Sequence, residues 1–120
     1  MTEKDRKCLE NMLDFTERVH RRICDTSYQE FSADRDKQDM VLYALGQIGE
    51  NASCISDAFK EAHKEISWTA IIGIRNRIFH IYNNINMKLI FDIASNSTSE
   101  LIQRLKEISK KYGLTHFNGN

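Results

Sequence analysis

The chain reads as an all-α protein, an up-and-down bundle of four to five helices. Three observations predict this. Apolar residues recur at three- and four-residue steps over several stretches, the period of an amphipathic helix. Strand-like alternation of useful length is absent. None of the 120 residues is proline, so no helix is interrupted by a missing amide donor.

The first helix covers about 4–24, where Leu9, Met12, Leu13, Thr16, Val19 and Ile23 form one stripe. Asp25-Thr26-Ser27 ends it, and a loop is expected to about Ala33. A second helix begins near Asp34 or Arg35. Its stripe of Val41, Leu45, Ile48, Ala52, Ile55 and Phe59 suits packing along another helix. Gly46 and Gly49 lie inside that helix at a cost of about 1 kcal/mol each, and are read as admitting a close helix crossing. Ser67 can cap a third helix from Trp68, with Ile71, Ile74, Ile78, Ile81 and Ile85 on one face. Residues 86–94 hold a short helix that continues or follows the third. Ser97-Thr98-Ser99-Glu100 matches a capping box for the last helix. Leu101, Leu105, Ile108 and Tyr112 are its stripe, and Gly113 is a natural stop. One domain is expected over 1–120, ordered over about 4–112, with a frayed tail from Leu114.

Seventeen Lys and Arg balance seventeen Asp and Glu. Zero net charge disfavours a general nucleic-acid coat protein and an acidic disordered tail. The balance is uneven along the chain. Residues 1–60 hold 12 acids and 9 bases, and residues 61–120 hold 5 acids and 8 bases. No apolar run approaches the roughly 20 residues of a membrane span. Met1 to Arg6 leads into no apolar signal segment, so a cytoplasmic location is expected. Cys8, Cys24 and Cys54 form no CxxC pair and no zinc pattern. Each is read as a small packing residue with a free thiol. Nothing in the sequence suggests a metal or a cofactor.

The chemistry concentrates in one apolar helix, which carries Arg75, Asn76, Arg77, His80 and Tyr82 within eight residues. Asn76 and His80 lie one turn apart. Arg75 and Tyr82 are nearly in line two turns apart, while Arg75 and His80 differ by about 140°. Arginine presents a fork of donors to phosphate oxygens. Histidine exchanges a proton near neutral pH, and asparagine can orient either partner. Such a set suits attack of an RNA 2′-hydroxyl on its neighbouring phosphate without a metal. The lack of clustered carboxylates argues against a two-metal nuclease. Taken singly, Arg77 reads as a solvated charge, Tyr82 as a core-edge aromatic and His80 as a surface or satisfied buried residue. The third helix is apolar on most faces (Ile72, Ile74, Phe79, Ile81), more than one small core needs, which points to burial by a second copy.

Arg75-Asn76-Arg77-Ile78-Phe79-His80-Ile81-Tyr82 resembles the motif of HEPN-domain proteins, and specifically of HepT-like toxins. Two further stretches carry the resemblance: Phe31-Ser32-Ala33-Asp34-Arg35-Asp36-Lys37-Gln38-Asp39, like the family's approach to its second helix, and Ile48-Gly49-Glu50-Asn51-Ala52, like its Ile-Gly-Glu-Ala segment. With Trp68 ahead of the arginine, the similarity runs from about Asp5 to Ile108. Ser67 stands where many relatives have proline, and Asn51 interrupts the common Glu-Ala pair. Neither touches Arg75, His80 or Tyr82.

The resemblance implies a homodimeric toxin of a type VII-like toxin–antitoxin pair, acting as a metal-independent endoribonuclease with its site in a dimer cleft. By carry-over, His80 is the general base or acid, Arg75 stabilises phosphate charge, Asn76 assists, and Arg75 with Arg77 binds RNA. It also implies a cognate nucleotidyltransferase antitoxin that transfers AMP from ATP onto Tyr82. The alternative is a non-catalytic HEPN subunit that binds such a partner and is modified by it. A further alternative is a helical dimer whose motif is purely structural.

Overall fold

In the computed structural model, which describes residues 1–80 and 86–114 with the side chains of Phe79 and His80 excepted, the chain begins with α1 (Glu3–Ile23). Thr2 caps it reciprocally. Its hydroxyl accepts from Asp5 N at 2.9 Å, and Asp5 Oδ2 accepts from Thr2 N at 3.4 Å. All six stripe residues of α1 are buried. Thr16 tolerates burial because its hydroxyl donates to Met12 O at 2.6 Å.

The expected loop after α1 contains a helical turn, α2 (Tyr28–Ser32). Its signal is local. Ser27 and Glu30 form a capping box, with Glu30 N donating to Ser27 Oγ at 3.1 Å and Ser27 N donating to Glu30 Oε1 at 2.9 Å. The turn is too short to show a stripe, but it places Phe31 in the core, its ring 5.4 Å from that of Phe91.

Asp34 caps α3 (Arg35–Ser53), accepting from Lys37 N at 3.0 Å. Every member of the predicted α3 stripe is buried, yet the helix ends at Ser53. Ile55 sits in the connection, and Phe59 belongs to a separate α4 (Asp57–Ala62) capped by Ser56. The break follows from Asp5, whose carboxylate accepts from Ser56 N at 2.8 Å and Ser56 Oγ at 2.7 Å. Asp5 is 1% exposed. Burial works against its charge, but the hydrogen bonds from Ser56 and Thr2 more than offset that, and its pKa lies below the ordinary carboxylate value.

The link to α5 (Trp68–His80) is held by a buried histidine. His63 is 2% exposed. Its Nε2 lies 2.8 Å from Tyr112 Oη, and its Nδ1 lies 3.3 Å from Glu65 Oε2. Its ring packs 4.4 Å from that of Phe59, and Trp68 Nε1 donates to its carbonyl at 2.9 Å. Arg104 Nη1 donates to Glu65 O. The start of α5 and the end of the last helix are thus tied together.

The short helix after residue 85 continues into the last helix. Asn86 caps α6 (Met87–Asp92), a π-helical turn spans Ile93–Ser97, and α7 (Thr98–Lys111) follows without a break. The predicted capping box at Ser97 is not formed. Ser97 has helical angles, φ −87 and ψ −22, where a capping residue is extended, and its side chain makes no cap. Thr98 instead donates to Ala94 O at 2.7 Å and takes His20 Nδ1 at 3.3 Å. Gly113, at φ +70, closes α7 as predicted, with Leu114 N reaching Ser109 O at 2.8 Å and Gly113 N reaching Lys110 O at 3.2 Å.

Among the described residues the elements are helices joined by turns. The central helix α3 packs against α1 on one side and α5 on the other, and α7 packs on α1. This is the expected all-α bundle, built on four long helical runs, with α2 and α4 in the connections. No helix among the described residues is long and apolar enough to cross a membrane. The cysteine reading needs correction. Cys8 is buried, and burial together with the neighbouring Cys54 thiol pushes its pKa up, but Cys24 and Cys54 are exposed at helix ends. The predicted tail beyond Leu114, and Ile81 and Ile85 of the α5 stripe, lie outside the described residues.

Replacing Asp5 by Ala strands two donors of Ser56 and is expected to cost about 3 kcal/mol in urea unfolding. Because folding lowers the Asp5 pKa, its contribution is complete above about pH 4 and is lost as the pH falls through the depressed value. The stability gap between parent and Asp5→Ala should therefore narrow below about pH 4.

Candidate functional site

The crossing of α3 and α5 sets the position of Arg75. A Cβ added to Gly49 would stand 2.4 Å from Arg75 Cβ and 3.0 Å from Ile71 O. Glycine alone lets the two backbones approach this closely. The next residue on α3, Glu50, takes the arginine head. Arg75 Nη1 donates to Glu50 Oε1 at 3.1 Å and to Oε2 at 3.2 Å. The Arg75 side chain is 22% exposed and that of Glu50 is 44% exposed. Arg75 Nε is buried and has no hydrogen-bond partner among the described residues.

Other predicted residues fall elsewhere on α5. Asn76 and Arg77 are exposed. Arg77 is about 200° around the helix from Arg75, so the pair expected to bind RNA together is divided between two faces. Arg77 lines a groove of about 540 Å³ between α3, α5 and α7, with Leu45, Ile48, Ile71, Ile74 and Leu101 as its apolar walls and Glu65, Glu100 and Arg104 also lining it. Gly73 opens onto this groove, and an added Cβ there would meet nothing within 4 Å. Ile72 and Ile74 are half-buried in the single chain. His80 ends α5, but its side chain is outside the described residues, as is Tyr82 altogether. Among the described residues no three His, Cys, Asp or Glu side chains group as a metal site.

The close helix crossing read from Gly49 is present, but sequence reasoning left Glu50, the residue beside it, without a role. The available signal was a glycine inside a helical stripe followed by an acid, opposite a basic residue on an otherwise apolar helix. Pairing the two helices in space was needed to read it.

Fold and site together define an all-helical bundle that holds one arginine, with an unfilled donor, at a helix crossing. The profile of the family described as Ribonuclease HepT-like matches residues 12–108, and the chain belongs to that family. An assigned RNase of Methanocaldococcus jannaschii is 29% identical over 102 residues, covering 85% of this chain and 81% of that protein. One from Caldanaerobacter subterraneus is 28% identical over 106 residues, covering 88% and 95%. A protein of Thermococcus cleftensis assigned as ribonuclease HepT is 26% identical over 98 residues, covering 82% and 86%. No solved structure matches the chain.

Gly49→Ala should push α3 and α5 apart at Arg75. We expect a loss of about 2 kcal/mol in thermal or urea unfolding, the scale of an overpacked contact. Gly73→Ala, which meets open space, should stabilise the single chain by several tenths of a kcal/mol, up to about 1 kcal/mol, through helix propensity.

Proposed function

We propose that the chain is a toxin of the HepT type, a metal-independent endoribonuclease. The observation that carries this reading is the Arg75 clamp, an arginine fixed at a helix crossing with Nε unfilled, in a chain of the Ribonuclease HepT-like family. In the mechanism, His80 removes the proton of an RNA 2′-hydroxyl. The 2′-oxygen attacks the adjacent phosphorus while the bond to the 5′-oxygen breaks, and an acid returns a proton to that oxygen. Donors of Arg75 hold the charge that grows on the phosphate oxygens, and Asn76 orients the substrate or His80. The products are a 2′,3′-cyclic phosphate and a 5′-hydroxyl.

A second copy completes the site in this reading. The groove beside α5, walled in part by the half-buried Ile74, is the surface a two-fold partner would cover. Arg77, on the groove side, then joins the RNA contacts across the interface. We further propose that a nucleotidyltransferase antitoxin silences the enzyme. The Tyr82 phenol attacks the α-phosphorus of ATP, pyrophosphate leaves, and the new AMP phosphate pairs with nearby cationic donors. One observation favours the alternative of a non-catalytic subunit: Glu50, in the same chain, already occupies Arg75 Nη1.

The test is cleavage of RNA by protein purified without its partner, in EDTA. His80→Ala should lower the rate by roughly 10²–10⁴, and the parent's products should end in 2′,3′-cyclic phosphate. Equal cleavage by variant and parent would overturn catalysis by His80. Intact mass after co-expression with a nucleotidyltransferase antitoxin of the kind proposed should show AMP additions that Tyr82→Phe abolishes.

A further inference from the structure

We propose that Glu50 is a positioning residue and electrostatic gate for Arg75: its carboxylate parks the guanidinium in the unbound chain and yields it to an RNA phosphate. This rests on the ribonuclease reading above.

The geometry of the pair differs from that of a side-by-side fork. Both carboxylate oxygens converge on a single nitrogen, Nη1, at 3.1 and 3.2 Å. A paired fork would engage two nitrogens side by side. Here Nε is buried without a partner, and no described residue accepts from Nη2. A buried donor left unmade is unfavourable, so the parked arrangement leaves room for an acceptor that Glu50 does not supply. A phosphate has enough oxygens to fill the remaining donors.

The backbone fixes one end of this device and leaves the other free. Gly49 brings Arg75 Cβ against α3, so the guanidinium pivots from an anchored base. Glu50 is the more exposed partner, 44% against 22%, and has solvent to move into. A phosphate approaching Arg75 places a second anion beside the carboxylate, and the repulsion drives Glu50 outward. The gate therefore holds Arg75 in reach of substrate and also sets a threshold that only a well-placed phosphate crosses.

The experiment measures binding of a short single-stranded RNA, 2′-O-methylated throughout so that it cannot be cleaved. It compares the parent with Glu50→Gln, Arg75→Ala and the double variant. Asp14→Asn, which releases Arg18 from an exposed ion pair on α1, reports the effect of losing one negative charge and freeing one arginine away from the site. Glutamine keeps an acceptor for Nη1 and so keeps the fold, which unfolding curves will verify. Glu50→Gln should tighten binding roughly two- to fivefold beyond Asp14→Asn, the range for releasing one partly exposed ion pair. That gain should vanish in the Arg75→Ala background. With cleavable RNA, Glu50→Gln should lower KM by the same factor with kcat kept, whereas Glu50→Ala, which loses the tether, should lower kcat. The proposal is overturned if Glu50→Gln binds like Asp14→Asn, or if its gain persists without Arg75. A parent that binds no RNA, or an Arg75→Ala that binds as well as the parent, overturns the ribonuclease reading itself and this inference with it.

Discussion

The close crossing of α3 and α5 at Gly49 is the constraint on which the candidate site depends. At this crossing the two helices are near enough that any side chain at Gly49 would overlap Arg75 Cβ. Backbone proximity of this kind fixes the rotation of α5 about its own axis, because only one face of α5 fits against α3. With Arg75 turned onto that face, its head reaches Glu50, and the residues about 200° away, including Arg77, are turned toward the groove. One missing Cβ thereby decides which charged residues of α5 meet an internal partner and which meet solvent.

The rest of the bundle serves to hold that crossing in place. Asp5 ties the start of α1 to the N-cap of α4, which stops α3 at Ser53 and turns the chain back. His63 links Tyr112 at the end of α7 to Glu65, while its carbonyl receives the Trp68 indole at the first residue of α5. These are buried polar contacts with few alternative partners, so they specify geometry where an apolar stripe alone permits sliding. The price of using buried polar groups is met by full satisfaction: Asp5, Thr16, His63, Thr98 and Ser109 all have hydrogen bonds. Arg75 Nε, with no hydrogen-bond partner among the described residues, is a departure from this rule and lies at the candidate site.

Much of the fold was legible in the residues. The stripe from Leu9 to Ile23 and that from Val41 to Phe59 are buried throughout, because helical periodicity directly reports which face meets a core. The stop signal worked at Gly113, and the start of α3 fell at Arg35 as expected, capped by Asp34. The cap signal failed at Ser97, where a π-helical turn carried one helix into the next. A stripe also cannot register a helix break that preserves it. Ile55 and Phe59 stay in the core after α3 ends, since Ser56 reverses the chain against Asp5, fifty-one residues away in sequence. The five-residue α2 was missed because one turn has no period, although its Ser27 and Glu30 carried the cap.

By itself, then, the sequence determined an all-helical class, the buried faces of the long helices and the apolar stretch that gathers Arg75, Asn76, Arg77 and His80, because all three are matters of local spacing. Which of these residues face one another was decided only by the tertiary structure. Arg75 turns onto α3, where Glu50 joins it from 25 residues earlier, and Arg77 turns onto the groove. The reason is physical: helical period fixes angles within one helix, whereas the rotation of one helix against another is set by how their surfaces pack, here where Gly49 leaves room for Arg75.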